Sequence, residues 1–371
     1  MKYHILVTGG VGFIGSHLVD ALINEGHEVT ILDNLEPQVH PNVPRYLNKN
    51  AKFVRGDVKD YNLLKSMVKD VDIIFHEAAM VGVGQSMYEV KKYIETNVNG
   101  TANLLDLLVN TEHDVKKLLV ASSMSIYGEG SYKCENCGYI EPGLRTLEQM
   151  RDRDFELHCP KCGNYLEPIA TPEDKKLASN SIYAISKKVQ EELCLTIGKA
   201  YSIPVVALRY FNVYGPRQSL SNPYTGVVAI FMSRIKNNKP PIIFEDGNQS
   251  RDFISVYDIV RANIIAMRSS NANYEVFNVG TSKPITIKRV AEILIELYGI
   301  NIKPLITNNF RKGDVRHCFA DISKIKSKLG FEPKVGFEQG LKELIEWSKH
   351  QEAVDKVEDA TKELKNKGLL I

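Results

Sequence analysis

Three groups of residues have the types and spacing of chemistry. Cys134 and Cys137 are followed by glycine, and Cys159 and Cys162 repeat that CxxCG pattern after 21 intervening residues. Each CxxCG can form a tight knuckle whose thiolates and following backbone N–H groups suit a tetrahedral metal, so the four cysteines together describe a zinc ribbon. Four thiolates leave no open coordination position, which makes such a site structural; an iron centre suits this closed arrangement less well. The second group is Gly9, Gly12 and Gly15. A glycine-rich turn between strand and helix lets backbone approach a pyrophosphate, whose charge the helix N-terminus stabilises. Asp33 ends the next strand-like run, 18 residues beyond Gly15. A carboxylate there accepts hydrogen bonds from both adenosine ribose hydroxyls and repels a 2′-phosphate, so the pattern favours NAD over NADP. The third group is Tyr183 and Lys187, four apart on one face of a predicted helix. An ammonium beside a phenol stabilises its phenolate and turns tyrosine into a base near neutral pH. Alone, such a pair commonly faces solvent; downstream of a dinucleotide turn it is a candidate proton shuttle beside a nicotinamide.

Positioning these groups requires alternating strands and helices. "YHILVTG" is a short β-branched run, residues 12–25 place Ile14, Leu18, Ala21 and Leu22 at helical spacing, and "EVTILD" is a second strand. The rhythm continues through "KFVRGD", "DIIFHEAA", a long helical stretch at 88–111, "KKLLVASS", a helix from about 182 and "IPVVALRYF". Nearly continuous apolar strands in βα units imply an α/β fold with a doubly wound parallel Rossmann sheet. After about residue 220 the pattern loosens into a smaller C-terminal α/β lobe, with strands "PPIIF" and "YEVFNV" and helices near 226–237, 286–298 and 337–349. The resulting division is a Rossmann domain at 1–129 and 171–220, a four-cysteine zinc-ribbon insertion at 130–170, a lobe at 221–349 with some segments returning to the Rossmann domain, and a charged C-terminal helix or tail at 350–371.

Composition sets the outer limits. With 371 residues, 43% of them hydrophobic, the chain buries a sizeable core, and a formal charge of +2 gives no global field for nucleic acid or anionic membranes. "RDRDFELH" within the ribbon is mixed in charge, without a basic-aromatic platform for nucleic acid. The apolar run in "MKYHILVTGG" is too short for a signal peptide, and no later segment reaches the length of a membrane span. The expected location is therefore cytoplasmic, where paired cysteines act as metal ligands rather than disulfides. Cys194 is expected to be a buried thiol, and His17, His27 and His76 packing or surface residues.

These motifs, in this order, resemble the extended short-chain dehydrogenase/reductases, specifically the nucleotide-sugar epimerase/dehydratase branch. The resemblance covers residues 3–349. It rests on "TGGVGFIGSHLVDALINEGHEV", "DNL" at 33–35, Gly56-Asp57-Val58, "HEAA" at 76–79, "TNVNGT" at 96–101, "SSMSIYG" at 122–128, Tyr183 and Lys187, "LRYFNVYGPRQ", "GNQSRDFISVYD", "FNVGTS" and "RKGDVR". It implies an NAD site formed by Gly9, Gly12, Phe13, Ile14, Gly15, Asp33, Asn34, Asp57, Val58, Ala78, Ala79 and Asn97, together with Tyr183 and Lys187. It further implies that Tyr183 deprotonates a sugar hydroxyl, that Lys187 holds the nicotinamide ribose and lowers the tyrosine pKa, and that Ser123 hydrogen-bonds the same sugar oxygen. Asn212, Arg251, Arg311 and Asp314 match positions for the nucleotide diphosphate and its ribose, and Ser125 lies in the sugar pocket. Arg217 and Arg316 read equally well as surface ion pairs. The helices near 88–111 and after Tyr183 match those through which relatives form homodimers.

The resemblance also bears on the reaction. Family 4,6-dehydratases resemble "TDEVYG" where this chain has Ser123-Met124-Ser125-Ile126-Tyr127-Gly128, and Met124 and Ser125 cannot supply the acid and base of water elimination. The expectation is a nucleotide-sugar 4-epimerase acting on a UDP- or dTDP-linked hexose; the alternatives are a dehydratase, a reductase or a non-catalytic NAD-binding sensor. Tyr183 follows Tyr127 by 56 residues, about twice the interval in relatives, and the excess contains the four cysteines. The nearest resemblance is to 4-epimerases with a cysteine-rich insert, including dTDP-L-rhamnose 4-epimerase-like proteins. Joining Ser123 to Tyr183, the ribbon is either a staple for a segment with little core of its own or a border of the sugar pocket.

Overall fold

The computed structural model describes residues 2–371. In chain order its strands are β1 (His4–Thr8), β2 (Glu28–Asp33), β3 (Lys52–Arg55), β4 (Ile73–His76), β5 (Lys117–Ser123), β6 (Ser131–Cys134), β7 (Gly138–Ile140), β8 (Glu167–Ile169), β9 (Val205–Tyr210), β10 (Asn212–Tyr214), β11 (Ile242–Ile243), β12 (Ser250–Ser255), β13 (Glu275–Val279), β14 (Pro284–Thr286), β15 (Leu305–Ile306) and β16 (His317–Cys318). Seven of them form one parallel sheet in the order β13-β9-β5-β4-β1-β2-β3. Strand order reverses between β1 and β4, so the carboxyl ends of these two strands open the crevice where doubly wound folds bind ligands.

Side-chain alternation explains why both faces are covered. Ile5 and Val7 of β1 point to one face, against Leu18 and Leu22 of the helix Phe13–Asn24 and Ile259 and Ala266 of the helix Val256–Arg268. Leu6, between them, points to the other, against Leu64, Leu104, Leu108 and Cys194. Cys194 is thus a buried thiol of the core.

Three elements differ from the sequence expectation. "YEVFNV" lies not in the smaller lobe but on the main sheet, as β13 beside β9. The apolar helix Val256–Arg268 serves as its crossover, so local pattern alone could not assign the strand to a sheet. The stretch 88–111 is not one regular helix: Val90–Tyr93 is α-helical, Ile94–Asn99 π-helical and Gly100–Asn110 α-helical. The widened turn carries Asn97, whose side chain accepts from the Met80 N–H at 2.7 Å and donates to the Met80 carbonyl and the Ser186 hydroxyl. The charged tail forms the helix Val357–Asn366, but it is not simply a surface helix. Ala360, Leu364 and Leu370 are buried, and the Phe310 and Ile371 backbones exchange hydrogen bonds of 2.8 and 3.0 Å.

The smaller lobe packs Phe231, Met232 and Ile235 of the helix Val227–Lys236 against Val290 and Leu294 of Ile287–Tyr298 and Leu341 and Leu344 of Phe337–Ser348. It carries the four-stranded sheet in which β10 and β16 pair in parallel with β12 and β14 pairs antiparallel. The insertion is a three-stranded antiparallel sheet, β7-β6-β8, around Tyr132, Ile140, Leu157 and Leu166.

Candidate active site and cysteine cluster

The glycine turn follows β1 directly. Gly9 has φ +70°, and a Cβ there would stand 2.8 Å from the Ala78 backbone; on Gly15 it would meet the Gly9 carbonyl oxygen at 2.2 Å. Glycine is therefore required for the turn to close on both the helix and the residues after β4. Gly12 is the N-cap of the helix Phe13–Asn24 and no side chain caps that end, leaving the first-turn N–H groups around Phe13 and Ile14 for an anion. Asp33 is buried and accepts from the Val11 N–H at 3.0 Å and the Leu35 N–H at 2.8 Å, one bond on each oxygen. Each oxygen keeps a further lone pair for a ribose hydroxyl. Beside it the Asn34 amide donates to Asp57 at 3.0 Å, and Val58 is buried against Gly100. Ala78 and Ala79 follow β4, where Asn97 holds the next residue, Met80. These residues, brought together at the switch point, fit a dinucleotide.

Tyr183 and Lys187 lie at the start of the helix Ile182–Ala200, whose first turn is capped by Ser181 accepting from the Ala184 N–H. Burial pushes the Tyr183 phenol up, with the Ser123 hydroxyl pulling the other way. Burial also lowers the Lys187 ammonium to about 8, against the opposing charge of Glu77. Lys187 Nζ donates to Gln190 Oε1 at 2.5 Å, and among the described residues no hydrogen bond joins it to Tyr183. A residue three positions away on the same helix face competes for the ammonium as well as one four positions away. From Gln190 a buried chain runs to Thr101, His76 and Thr8. Since the Thr101 hydroxyl donates to the Asn97 carbonyl, His76 Nε2 must donate to Thr101 and Nδ1 accept from Thr8. Burial holds this imidazole down to about 3, so it is neutral and structural.

Ser123 ends β5. Its hydroxyl accepts from the Ser125 N–H at 3.2 Å and from the Ser125 hydroxyl at 3.0 Å, so both serines sit at the strand end. Behind them lies a buried pair that the motifs did not reveal: Arg209 of β9 forks onto Glu191 at 2.6 and 3.0 Å, and Ser122 donates to the same carboxylate at 2.6 Å. This locks the helix bearing Tyr183 to the strand bearing Ser123. A second unanticipated group is Glu77, pushed up to about 7 by burial although the Tyr210 hydroxyl donates to it at 2.9 Å. A carboxylate placed directly after a wholly buried apolar strand was the available signal.

On the lobe, Arg251, Arg311 and Asp314 converge. Arg311 donates twice to Asp314 Oδ2, at 2.9 and 2.7 Å, and Arg251 approaches Asp314 Oδ1 at 3.5 Å. Burial opposes ionisation of Asp314, but the two guanidiniums hold its carboxyl below the usual range. Arg251 also donates to the Ser250, Val315 and Arg316 carbonyls. Asn212, on the strand beside that of Arg251, has a buried side-chain oxygen without a hydrogen-bond partner among the described residues. Asn180, three residues before Tyr183, donates to the Gly313 carbonyl at 2.6 Å and joins this segment to the tyrosine helix. Arg217 pairs with Asp20 at 2.7 Å, but it is half-buried over the Tyr46 ring and one of its guanidinium nitrogens is buried without a partner among the described residues, so it is not a simple surface pair. Arg316 does not lie at the surface: it is wholly buried, between Glu156, Glu245 and Asp246.

The four insertion cysteines have their sulfurs within 4.8 Å of one another, with 3.5 Å between those of Cys134 and Cys162. A tetrahedral zinc with sulfur ligands needs edges of about 3.8 Å, so four sulfurs gathered this closely suit the ion after adjustments of about an ångström or less. At Cys159 desolvation disfavours the thiolate, yet the N–H groups of Lys161 and Cys162 bring it down to about 7.

The family model described as NAD dependent epimerase/dehydratase family matches residues 5–147 and 161–280, broken only inside the cysteine-rich segment. The chain belongs to that family. Among its members, dTDP-L-rhamnose 4-epimerase of Burkholderia thailandensis is 34% identical over 351 residues, covering 92% of this chain and 94% of the relative. The crystal structure of UDP-glucose 4-epimerase with UDP-glucose from Thermotoga maritima has TM-score 0.77 and 34% identity, over 93% of this chain and 98% of that one. UDP-glucuronic acid 4-epimerase of Bacillus cereus, in complex with UDP-glucuronic acid and NAD, has TM-score 0.75 and 28% identity, over 94% and 99%. No helix among the described residues is long and apolar enough to cross a membrane.

Proposed function

We propose that the protein is an NAD-dependent nucleotide-sugar 4-epimerase, with a UDP- or dTDP-linked hexose as substrate. The observation that carries the reading is that Tyr183, on the helix that also bears Lys187, meets the Ser123 hydroxyl beside a glycine turn closed on Ala78, in a chain several of whose relatives are 4-epimerases. NAD, held by the turn at Gly9 to Gly15 and by Asp33, would supply the acceptor and donor of the C4 hydride when bound. The chain's own residues do the remaining work. Tyr183 takes the proton of the sugar C4 hydroxyl and gives it back; Ser123 fixes that oxygen; Lys187, an ammonium below about pH 8, favours the phenolate electrostatically and holds the ribose. Asn212, Arg251, Arg311 and Asp314 anchor the nucleotide diphosphate and ribose, so the sugar can turn over within the site while its carrier stays bound. Met124 and Ser125, in place of an acid and a base, disfavour water elimination.

Cys134, Cys137, Cys159 and Cys162 hold one structural zinc, which orders a segment with a small core. The helices bearing Val90 and Ile185 form a homodimer interface, and the protein works in the cytoplasm. The reading is tested by incubating the purified protein, without added cofactor, with UDP-, dTDP- and GDP-sugars and resolving products by chromatography with mass detection. A new peak of unchanged mass is expected. A product lighter by one water would replace the epimerase with a dehydratase, and a product heavier by two hydrogens, formed only as added NADH is consumed, with a reductase.

A further inference from the structure

We infer that the cysteine-rich insertion is a positioning element for the substrate's nucleotide half, acting through Arg145. The inference rests on the proposed role of Arg251, Arg311 and Asp314 as nucleotide contacts. Residues 310–316 form no strand or helix of their own; the C-terminal tail pins the start of the segment through Phe310, Arg311 and Lys312, and the place of Asp314 to Arg316 depends on what else grips them. Arg145, in the insertion, is buried and bidentate to Glu245 of the lobe at 2.8 and 2.9 Å. Its second guanidinium nitrogen also donates to the Asp314 carbonyl at 3.0 Å, and its first to the Phe155 carbonyl at 3.0 Å. One planar group therefore ties the insertion, the lobe and the backbone of the residue whose carboxylate orients Arg311.

Neighbouring contacts support the same connection. Arg316 is wholly buried and reaches Glu156 of the insertion as well as Glu245 and Asp246 of the lobe. Glu129, at the root of the insertion, accepts from the Arg316 and His317 N–H groups, each at 2.8 Å, and from the Tyr132 hydroxyl. A surface staple needs none of these buried charges, because desolvating an arginine is costly, the more so at Arg145, whose Nε is buried without a partner among the described residues. Arranged around one irregular segment, they set the height and direction of Arg311 and Asp314 relative to Asn180 and the tyrosine helix.

The test is the affinity of UDP and dTDP for the NAD-loaded protein by calorimetry, with steady-state kinetics on the sugar that the wild type turns over. For Arg145→Met the dissociation constant and KM are expected to rise about tenfold, the value of one charge-assisted hydrogen bond. kcat should stay within about threefold and NAD content should be unchanged. Glu156→Gln, at a more exposed position, keeps a folded comparison if Arg145→Met is unstable and should shift KM the same way by a smaller factor. Arg145→Lys should recover part of the loss. A folded Arg145→Met or Glu156→Gln protein with wild-type affinity would overturn the inference, as would a wild type binding neither nucleotide. Nucleotide binding without sugar turnover would overturn the epimerase reading alone.

Discussion

At the glycine turn, each group offered to a dinucleotide is placed by backbone a few residues away or by the neighbouring parallel strand. Gly9 closes on Ala78, Gly15 on Gly9, and Asp33 accepts from Val11 and Leu35. Around Arg311 and Asp314 the placement comes from far along the chain: Arg145 to Glu245, Glu156 to Arg316, Asn180 to Gly313. The first region is a rigid consequence of local sequence, which suits a cofactor shared by many enzymes. The second depends in part on an added segment, so on the proposed reading a change in the insertion reaches Arg311 and Asp314 without disturbing the glycine turn.

Four changes would break or sharpen that contrast. The largest effect belongs to Tyr183→Phe, which removes the acid–base group without touching either support: turnover should fall about 10²- to 10⁴-fold, with NAD still bound in the purified protein by absorbance. Gly15→Ala comes next. Its Cβ would meet the Gly9 carbonyl oxygen at 2.2 Å, so bound dinucleotide should fall about tenfold or more while UDP or dTDP binding persists. Cys134→Ser, or a strong chelator, should remove one zinc per chain by metal analysis, lower the melting temperature by several degrees and weaken nucleotide binding, with NAD content retained. Loss of NAD along with zinc would show the two regions to be energetically one.

The smallest expected effect is on acid stability. The guanidinium of Arg316 and the His317 ring outweigh burial to hold the Glu156 carboxyl down to about 2, against an ordinary 4.5. Its contribution to folding is therefore present above about pH 4.5 and is lost as pH falls toward 2. Glu156→Gln should flatten that part of the stability–pH curve. An unchanged curve in denaturant melts from pH 5 to 2 would remove Glu156 from the network.

What could be read from the sequence follows the same division. The turn at Gly9 to Gly15 and the paired CxxCG knuckles are short-range patterns, and the structure closes the turn and gathers the four sulfurs; the helical spacing of Tyr183 and Lys187 is likewise local, and both lie on the helix Ile182–Ala200. Glu191–Arg209 and Arg145–Glu245 could not be read, because each pair joins charges whose proximity is decided only once the sheet or the lobe has formed. The sequence pattern places β13 in the smaller lobe for a related reason: "YEVFNV" fits any sheet, and only the crossover helix Val256–Arg268 selects the edge beside β9. Lys187 shows the limit of spacing even within a helix. Both Tyr183 and Gln190 lie within its reach, and in the structure the ammonium bonds the amide.

The central claim, that hydride leaves and returns to one carbon inside a closed site, has a direct test. The nucleotide sugar found active in the panel is prepared with deuterium at C4 and turned over to equilibrium in ordinary water. The account predicts that both epimers retain the deuterium at C4. Its replacement by solvent hydrogen would contradict transfer to and from a held cofactor and would require C4 to be inverted by proton exchange instead.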